Sequence, residues 1–197
     1  MNSRLAFALS CCVLLSQLSA ASAAPTVTEI MPRGLTSGGT TVITLRGTQL
    51  DQADGQILSS LIVSQKVLKA TATELQLEVE VAADAVPGLY RLRVSNAAGI
   101  SNAWLSGIDS LPQVAFQPTV DLPIALTGTL GGAAILETKV TLEAGSRFVA
   151  DVECGRIGGT ARPVLRLLDP NGVQVAFGRY RSAPSGDARL TAMVKVA

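Results

Sequence analysis

Residues 74–81 read ELQLEVEV, an unbroken alternation of apolar and polar side chains. An extended strand with one face buried and one wet satisfies a period of two; a helix would scatter the same residues around its circumference. Leu75, Leu77, Val79 and Val81 are expected to face a core, and Gln76, Glu78 and Glu80 to face solvent. An antiparallel sheet tolerates one wet face, so the run predicts a sheet covered on one side. The same grammar recurs along the chain. Residues 26–31, 40–46, 89–94 and 100–105 read as strands, the last carrying the single tryptophan, Trp104. Residues 57–63 form a mostly apolar run with strand character, while 51–72 as a whole is weakly specified. In the second half, residues 122–130, 136–142, 147–154 and 189–196 are read the same way, and 164–168 with 173–177 forms a hairpin. Helical periodicity is hard to find. The 18 glycines punctuate the runs. Gly38, Gly39 and Gly88 are expected to supply positive φ at turns. In Asp169-Pro170-Asn171-Gly172, proline suits an early turn position and Gly172 a positive φ at the end. Short alternating runs between regular turn signals predict an all-β fold of two small β-sandwiches in tandem.

Three blocks in the first half carry a family resemblance. They are P-x-V-x-x-I-x-P at 25–32, S-G-G-T-x-V-x-[IL]-x-G with one extra residue at 37–47, and P-G-x-Y-x-[LV]-x-V-x-N-x-x-G-x-S at 87–101. The stretch 24–111 therefore resembles the IPT/TIG family, which implies an immunoglobulin-like sandwich. Pro112 and Pro118 bracket a stretch without strong alternation, so 112–118 is expected to be a linker. Beyond it, Ala144-Gly145, FVADVECGRIGG, PVLRLLDPNGVQVA and Asp187-Ala188-Arg189-Leu190 resemble the bacterial pre-peptidase C-terminal domain. That resemblance implies a jelly-roll-like sandwich over 119–197. Two of the family's features are missing: the acidic segment before the Ala-Gly turn, and the closing G-x-Y-x-[LV]-x-V strand. The expectation is a second sandwich short of one edge strand, or the front part of a longer protein.

The first 23 residues read as a secretory signal. Arg4 is the positive region, residues 5–16 are apolar and too short to span a bilayer, and Ala21-Ser22-Ala23 is a small-x-small cleavage pattern. Cleavage is expected between Ala23 and Ala24, which places the protein outside the cytoplasm: secreted, periplasmic or on the cell surface. The whole chain carries 16 Lys+Arg and 15 Asp+Glu, so removing Arg4 leaves 15 of each. A neutral chain has no electrostatic reason to bind nucleic acid or an anionic membrane. No later stretch is long and apolar enough for a transmembrane helix. Of the three cysteines, only Cys154 survives cleavage, so the mature chain must rely on its apolar core. Cys154 follows Phe148, Ala150 and Val152 at period two and reads as a buried small hydrophobe.

The chain has no histidine. That removes a Ser-His-Asp triad, a Cys-His pair and the H-E-x-x-H zinc motif. No S-x-x-K motif occurs, and Glu78 and Glu80 share the wet face of one strand rather than flanking a substrate. The turn at 169–172 lacks the oxygen ligands of a calcium loop. The expectation is a non-enzymatic chain without metal or cofactor. It would be a secreted binding or adhesion protein whose partner is an extracellular protein or polysaccharide. The alternative is the accessory N-terminal portion of a larger secreted enzyme, a peptidase or other hydrolase. One stretch has no role in the strand pattern: Arg179-Tyr180-Arg181, expected on a loop, joins two charged forks to a flat ring with a polar tip. It is the candidate partner contact.

Overall fold

The structure, a computed structural model, describes residues 23–51, 56–180 and 187–195. Residues 1–22 of the leader and Arg181 of the candidate contact lie outside them. Ala23 and Ala24 are exposed, just ahead of the first strand.

That strand, β1 (Thr26–Met31), begins the first sandwich, followed by β2 (Gly34–Thr36), β3 (Thr40–Thr48), β4 (Gln56–Ile57) and β5 (Ile62–Ala70). β6 (Glu74–Val81), β7 (Gly88–Leu92), β8 (Val94–Asn96), β9 (Gly99–Ile100) and β10 (Trp104–Asp109) complete it. One sheet has the order β1-β3-β6-β5 and is antiparallel throughout. The other layer is built of β2-β10-β7 and β4-β8-β9. In it β2 runs parallel to β10, pairing Gly34, Leu35 and Thr36 with Gly107, Ile108 and Asp109. The alternation of β6 is realised in full: Leu75, Leu77 and Val79 are 0% exposed, while Glu80 on the other face is exposed. Ile30, Ile43 and Leu45 join them from β1 and β3, facing Leu35, Ile57, Leu92, Val94, Trp104 and Ile108 from the second layer in one core. Burying each such side chain contributes about 1.5–3 kcal/mol, so this core is what holds the sandwich.

The turn between β2 and β3 closes on the far end of β6, where Val81 N donates to Gly39 O at 3.1 Å. Gly38 takes the expected positive φ of 68°. Gly39 and Gly88 do not need one: both have ordinary negative-side φ, and Gly88 stands against the Tyr90 ring rather than in a left-handed turn.

Four stretches differ from the sequence reading: 89–94 breaks at Arg93 between β7 and β8, 100–105 breaks over 101–103 so that Trp104 opens β10, and the other two lie at 57–63 and just beyond it. The run 57–63 is divided, ending β4 at Ile57 and starting β5 at Ile62. β5 then occupies much of the weakly specified stretch. Its pairing with β6 slips between Ile62 and Ser64 and again between Val67 and Lys69. Each slip changes which face the next residue occupies, which erases the period-two signal.

The second half is also β, but in smaller pieces. β11 (Gln113–Ala115) pairs with β13 (Ala125–Thr127), and β12 (Thr119–Val120) with β14 (Lys139–Val140), both in parallel. The expected linker therefore contains a short strand. β15 (Arg147–Asp151) pairs antiparallel with β18 (Arg189–Met193), and β16 (Val164–Leu168) with β17 (Gln174–Arg179). The β16–β17 turn is as read: Asp169 Oδ1 accepts from Asn171 N and Val173 N, and Gly172 has φ 79°. The strand expected over 136–142 forms only at Lys139–Val140, and Ile135 is 80% exposed. The strand expected over 147–154 stops at Asp151 because the chain turns into a 3-10 helix at Gly155–Ile157. Cys154 caps that helix and is only half-buried, its Sγ 3.7 Å from Ala161 O. Among the described residues, Val120, Ala188 and Leu190 are the fully enclosed hydrophobics of this half.

Candidate functional site

A cluster of charges forms where β15 leaves its sheet and β18 enters. The side chain of Asp187 is 2% exposed. Its Oδ1 accepts from Cys154 N at 2.9 Å and Gly155 N at 2.6 Å, and its Oδ2 from Arg156 N at 3.3 Å and Arg156 Nε at 2.7 Å. Successive amides opening a helical turn make a concave nest for an anion, and here the anion is the chain's own carboxylate. Burial alone would raise the Asp187 carboxyl, but the Arg156 guanidinium and the three amides outweigh it and hold it below its usual value. Arg156 is raised in return, first by its bond to Asp187. Arg156 also reaches Asp151 at 3.2 Å and Glu153 at 3.6 Å, and Arg189 reaches Asp151 at 3.4 Å. Every group in this cluster is partnered, so it acts as a staple between β15 and β18 rather than as a reactive centre. The same loop touches the first sandwich: Arg33 Nη1 donates to Ile157 O, and Glu153 Oε2 would lie 2.8 Å from a Cβ at Gly107. Burial pushes the Glu153 carboxyl up, Arg156 opposes it, and Asp109, Asp151 and Asp187 add to it.

An open depression of about 340 Å³ lies on the outer face of the first sheet, lined by Glu29, Met31, Thr44, Arg46, Glu74 and Gln76, with Thr129 at its rim. Its charges are already spent on one another. Arg46 pairs with Glu29 at 3.4 Å and Glu74 at 3.6 Å, and Lys69 holds Glu74 at 2.8 Å. Lys69 is the first cause of the lowering of the Glu74 carboxyl. Among the described residues no group of three or more Cys, Asp or Glu is arranged to hold a metal ion.

The sequence-read contact is placed differently from its expectation. Arg179 is the last residue of β17 and is exposed, so it belongs to a strand rather than a loop. Tyr180 extends that strand by a bridge to Ala188, and its N donates to Pro163 O at 3.1 Å. The Tyr180 ring is half-buried and carries Arg162 over its face, 5.5 Å from the centroid. Tyrosine and Arg179 therefore point to opposite faces of the strand.

What accompanies Arg179 on its own face was not visible from the linear stretch. In the β16–β17 ladder Val164 stands opposite Arg179, and Arg166 opposite Phe177. These four side chains share one face. Val164 is 51% and Phe177 49% exposed, and both arginines are exposed. Among the described residues no carboxylate lies within ion-pair distance of Arg162, Arg166 or Arg179. The signal that could have found the pair is the out-facing set of the two runs, Val164, Arg166, Phe177 and Arg179, read as one surface.

Residues 24–101 match the family described as quinohemoprotein amine dehydrogenase, alpha subunit domain III. The matching family is thus another than the IPT/TIG family whose motifs the stretch resembles, and both descriptions agree on an immunoglobulin-like β-sandwich. No curated protein matches the chain. Among solved structures, a Bacteroides ovatus surface protein from a mixed-linkage glucan utilization locus, SGBP-B, in complex with a mixed-linkage heptasaccharide, aligns with 88% of this chain at 14% identity and a TM-score of 0.35. The gamma-CGTase of the alkalophilic Bacillus clarkii aligns with 91% of it at 14% identity and a TM-score of 0.36. The chain spans 36% of the first protein's length and 27% of the second's.

Proposed function

We propose that this chain is a non-catalytic binding protein of β-sandwich modules that works outside the cytoplasm. Its partner is an extracellular protein or polysaccharide, met through the face of the β16–β17 hairpin that carries Arg179, with Tyr180 on the opposite face. On the motif resemblances, 24–111 is an IPT/TIG-like module and 119–197 a pre-peptidase C-terminal-like one, after a leader cleaved between Ala23 and Ala24. The observation that carries the reading is the outer face of β16–β17, where an aromatic ring and two guanidinium groups stand exposed and, among the described residues, no carboxylate lies within ion-pair distance of them. Such a surface holds a ligand and does not transform it: guanidinium stays protonated and cannot relay protons, and neither phenylalanine nor valine is a nucleophile. The clustered acids elsewhere are bonded to their own arginines. A broad panel of extracellular polysaccharides and proteins, assayed for retention and for turnover, tests this. Retention without turnover is the expected result; turnover by the pure chain overturns it.

A second reading is that the chain is an accessory part of a larger secreted enzyme. It is favoured by the match of 24–101 to a family described as one domain of an enzyme subunit. Under that reading the chain binds the same partners and delivers them to a catalytic domain elsewhere.

A further inference from the structure

We infer that the outer face of the β16–β17 hairpin is a site for an acidic polysaccharide, one whose pyranose rings carry carboxylates. The inference rests on the binding-module reading and names the ligand class for it. Four side chains make the site. Arg166 is cross-strand to Phe177, and Arg179 is cross-strand to Val164, so the two arginines are diagonal neighbours with the apolar pair between them. Diagonal neighbours on a ladder stand roughly 7–8 Å apart at the backbone, so two guanidinium groups repel across this face until an anion lies between them. The nearby carboxylate of Asp169 is engaged by the Asn171 and Val173 amides of the turn and points into it. The face is therefore electropositive, and its complement is anionic. The anion must also bring an apolar flat surface, because Phe177 and Val164 are about half exposed and lie between the charges. A pyranose offers that surface as a plane of C–H groups, with its carboxylate projecting at the ring edge toward an arginine fork. An extended acidic peptide would instead seek unpaired backbone along a strand edge, and here the groups stand on the face. The four side chains lie in the regular part of the ladder, Val164–Arg179 to Leu167–Ala176, ahead of the irregularity between Leu167 and Leu168, so one register sets their spacing.

The test uses the full secreted chain with three probes: polygalacturonate, the same polymer fully methyl-esterified, and polyglutamate. Titration calorimetry at low salt, repeated at 1 M salt where screening acts within about 3 Å, reads the affinities. Expected is binding of polygalacturonate, none of the esterified polymer, and weaker binding of polyglutamate, with salt reducing all of it. Arg166→Gln with Arg179→Gln, and separately Phe177→Ala, should each weaken polygalacturonate by about tenfold or more, the scale of losing one anchoring side chain. Unchanged melting temperatures in those variants show that the face and not the fold was lost. Equal or tighter binding of polyglutamate overturns the carbohydrate class. Binding of polygalacturonate that survives both variants overturns the location. Retention of only neutral polysaccharides or proteins in the wider panel overturns this inference and leaves the binding-module reading standing, whereas enzymatic turnover removes that reading itself.

Discussion

Asp187 is the residue on which the second half turns. It is enclosed, it accepts four hydrogen bonds, and its partners come from a loop more than 30 positions earlier, as in Cys154 and Gly155 at separations of 33 and 32. Replacing it by Asn keeps the shape, but an amide group must then point a donor at donors. Asp187→Asn is expected to cost about 3 kcal/mol, the scale of leaving a buried charge unpartnered, read as a lowered melting temperature. The pH dependence follows from the direction of its shift. A carboxyl held below its usual value stabilises the fold above the unfolded pKa, here 3.8, and that stability is lost as pH falls through the folded value. Acid unfolding followed by circular dichroism should thus begin below about pH 4 in the wild type and be flattened in Asp187→Asn. Nothing in the linear sequence marks Asp187 for this work. Its partners are three amides and one arginine brought together by the folding of two distant turns. Phe177 and Arg166 were hidden for a related reason, since their adjacency exists only once the hairpin register is set.

Among the elements, those that alternate cleanly were legible and those that slip were not. β6 reads directly from ELQLEVEV because its residues from Leu75 to Glu80 are paired with both β3 and β5, and the irregularities fall in β5 rather than in β6. β5 is obscured by its two slips, and the alternation over 136–142 yields a strand only at Lys139–Val140 because its neighbour β12 is two residues long. Two glycines show how tightly certain elements approach. A Cβ at Gly47 would overlap Thr26 O, where β3 crosses the irregular start of β1, and one at Gly178 would stand 2.5 Å from Arg189 O, where β17 passes β18. Both obstacles are backbone, which cannot swing aside. Gly47→Ala is therefore expected to destabilise the first sandwich by about 1–3 kcal/mol or more, and Gly178→Ala to destabilise the second half by a similar amount. Chemical denaturation monitored by Trp104 fluorescence reads the first change. If Gly47→Ala leaves the midpoint unmoved, β1 and β3 do not meet as described.

At the scale of the molecule, the apolar core is unequally shared. The first half encloses Ile30, Leu35, Ile43, Leu75, Leu77, Leu92 and Ile108 at 2% exposure or less, whereas the second leaves Phe177, Val164 and Met193 largely outside. We expect residues 24–112 to fold alone, because every strand of their two layers lies within that stretch. The second half is expected to melt first, so calorimetry of the whole chain should show two transitions, the lower one shifted by Asp187→Asn. A single transition with neither part folding separately would mean that the loop contacts of Arg33 and Glu153 with the opposite half bind the two into one cooperative unit. The parallel pairing of β2 with β10 has one more consequence. The chain enters the first sandwich through β1 and leaves it through β10, so tension along a chain anchored at one end and loaded at the other reaches β2 once β1 has come away from β3, and then pulls β2 and β10 in opposite senses along their shared axis. The bonds from Gly107 N to Arg33 O and from Ser37 N to Asp109 O are then strained together rather than peeled one after another. The module meets a stretching force in shear, the loading direction in which a short ladder yields last.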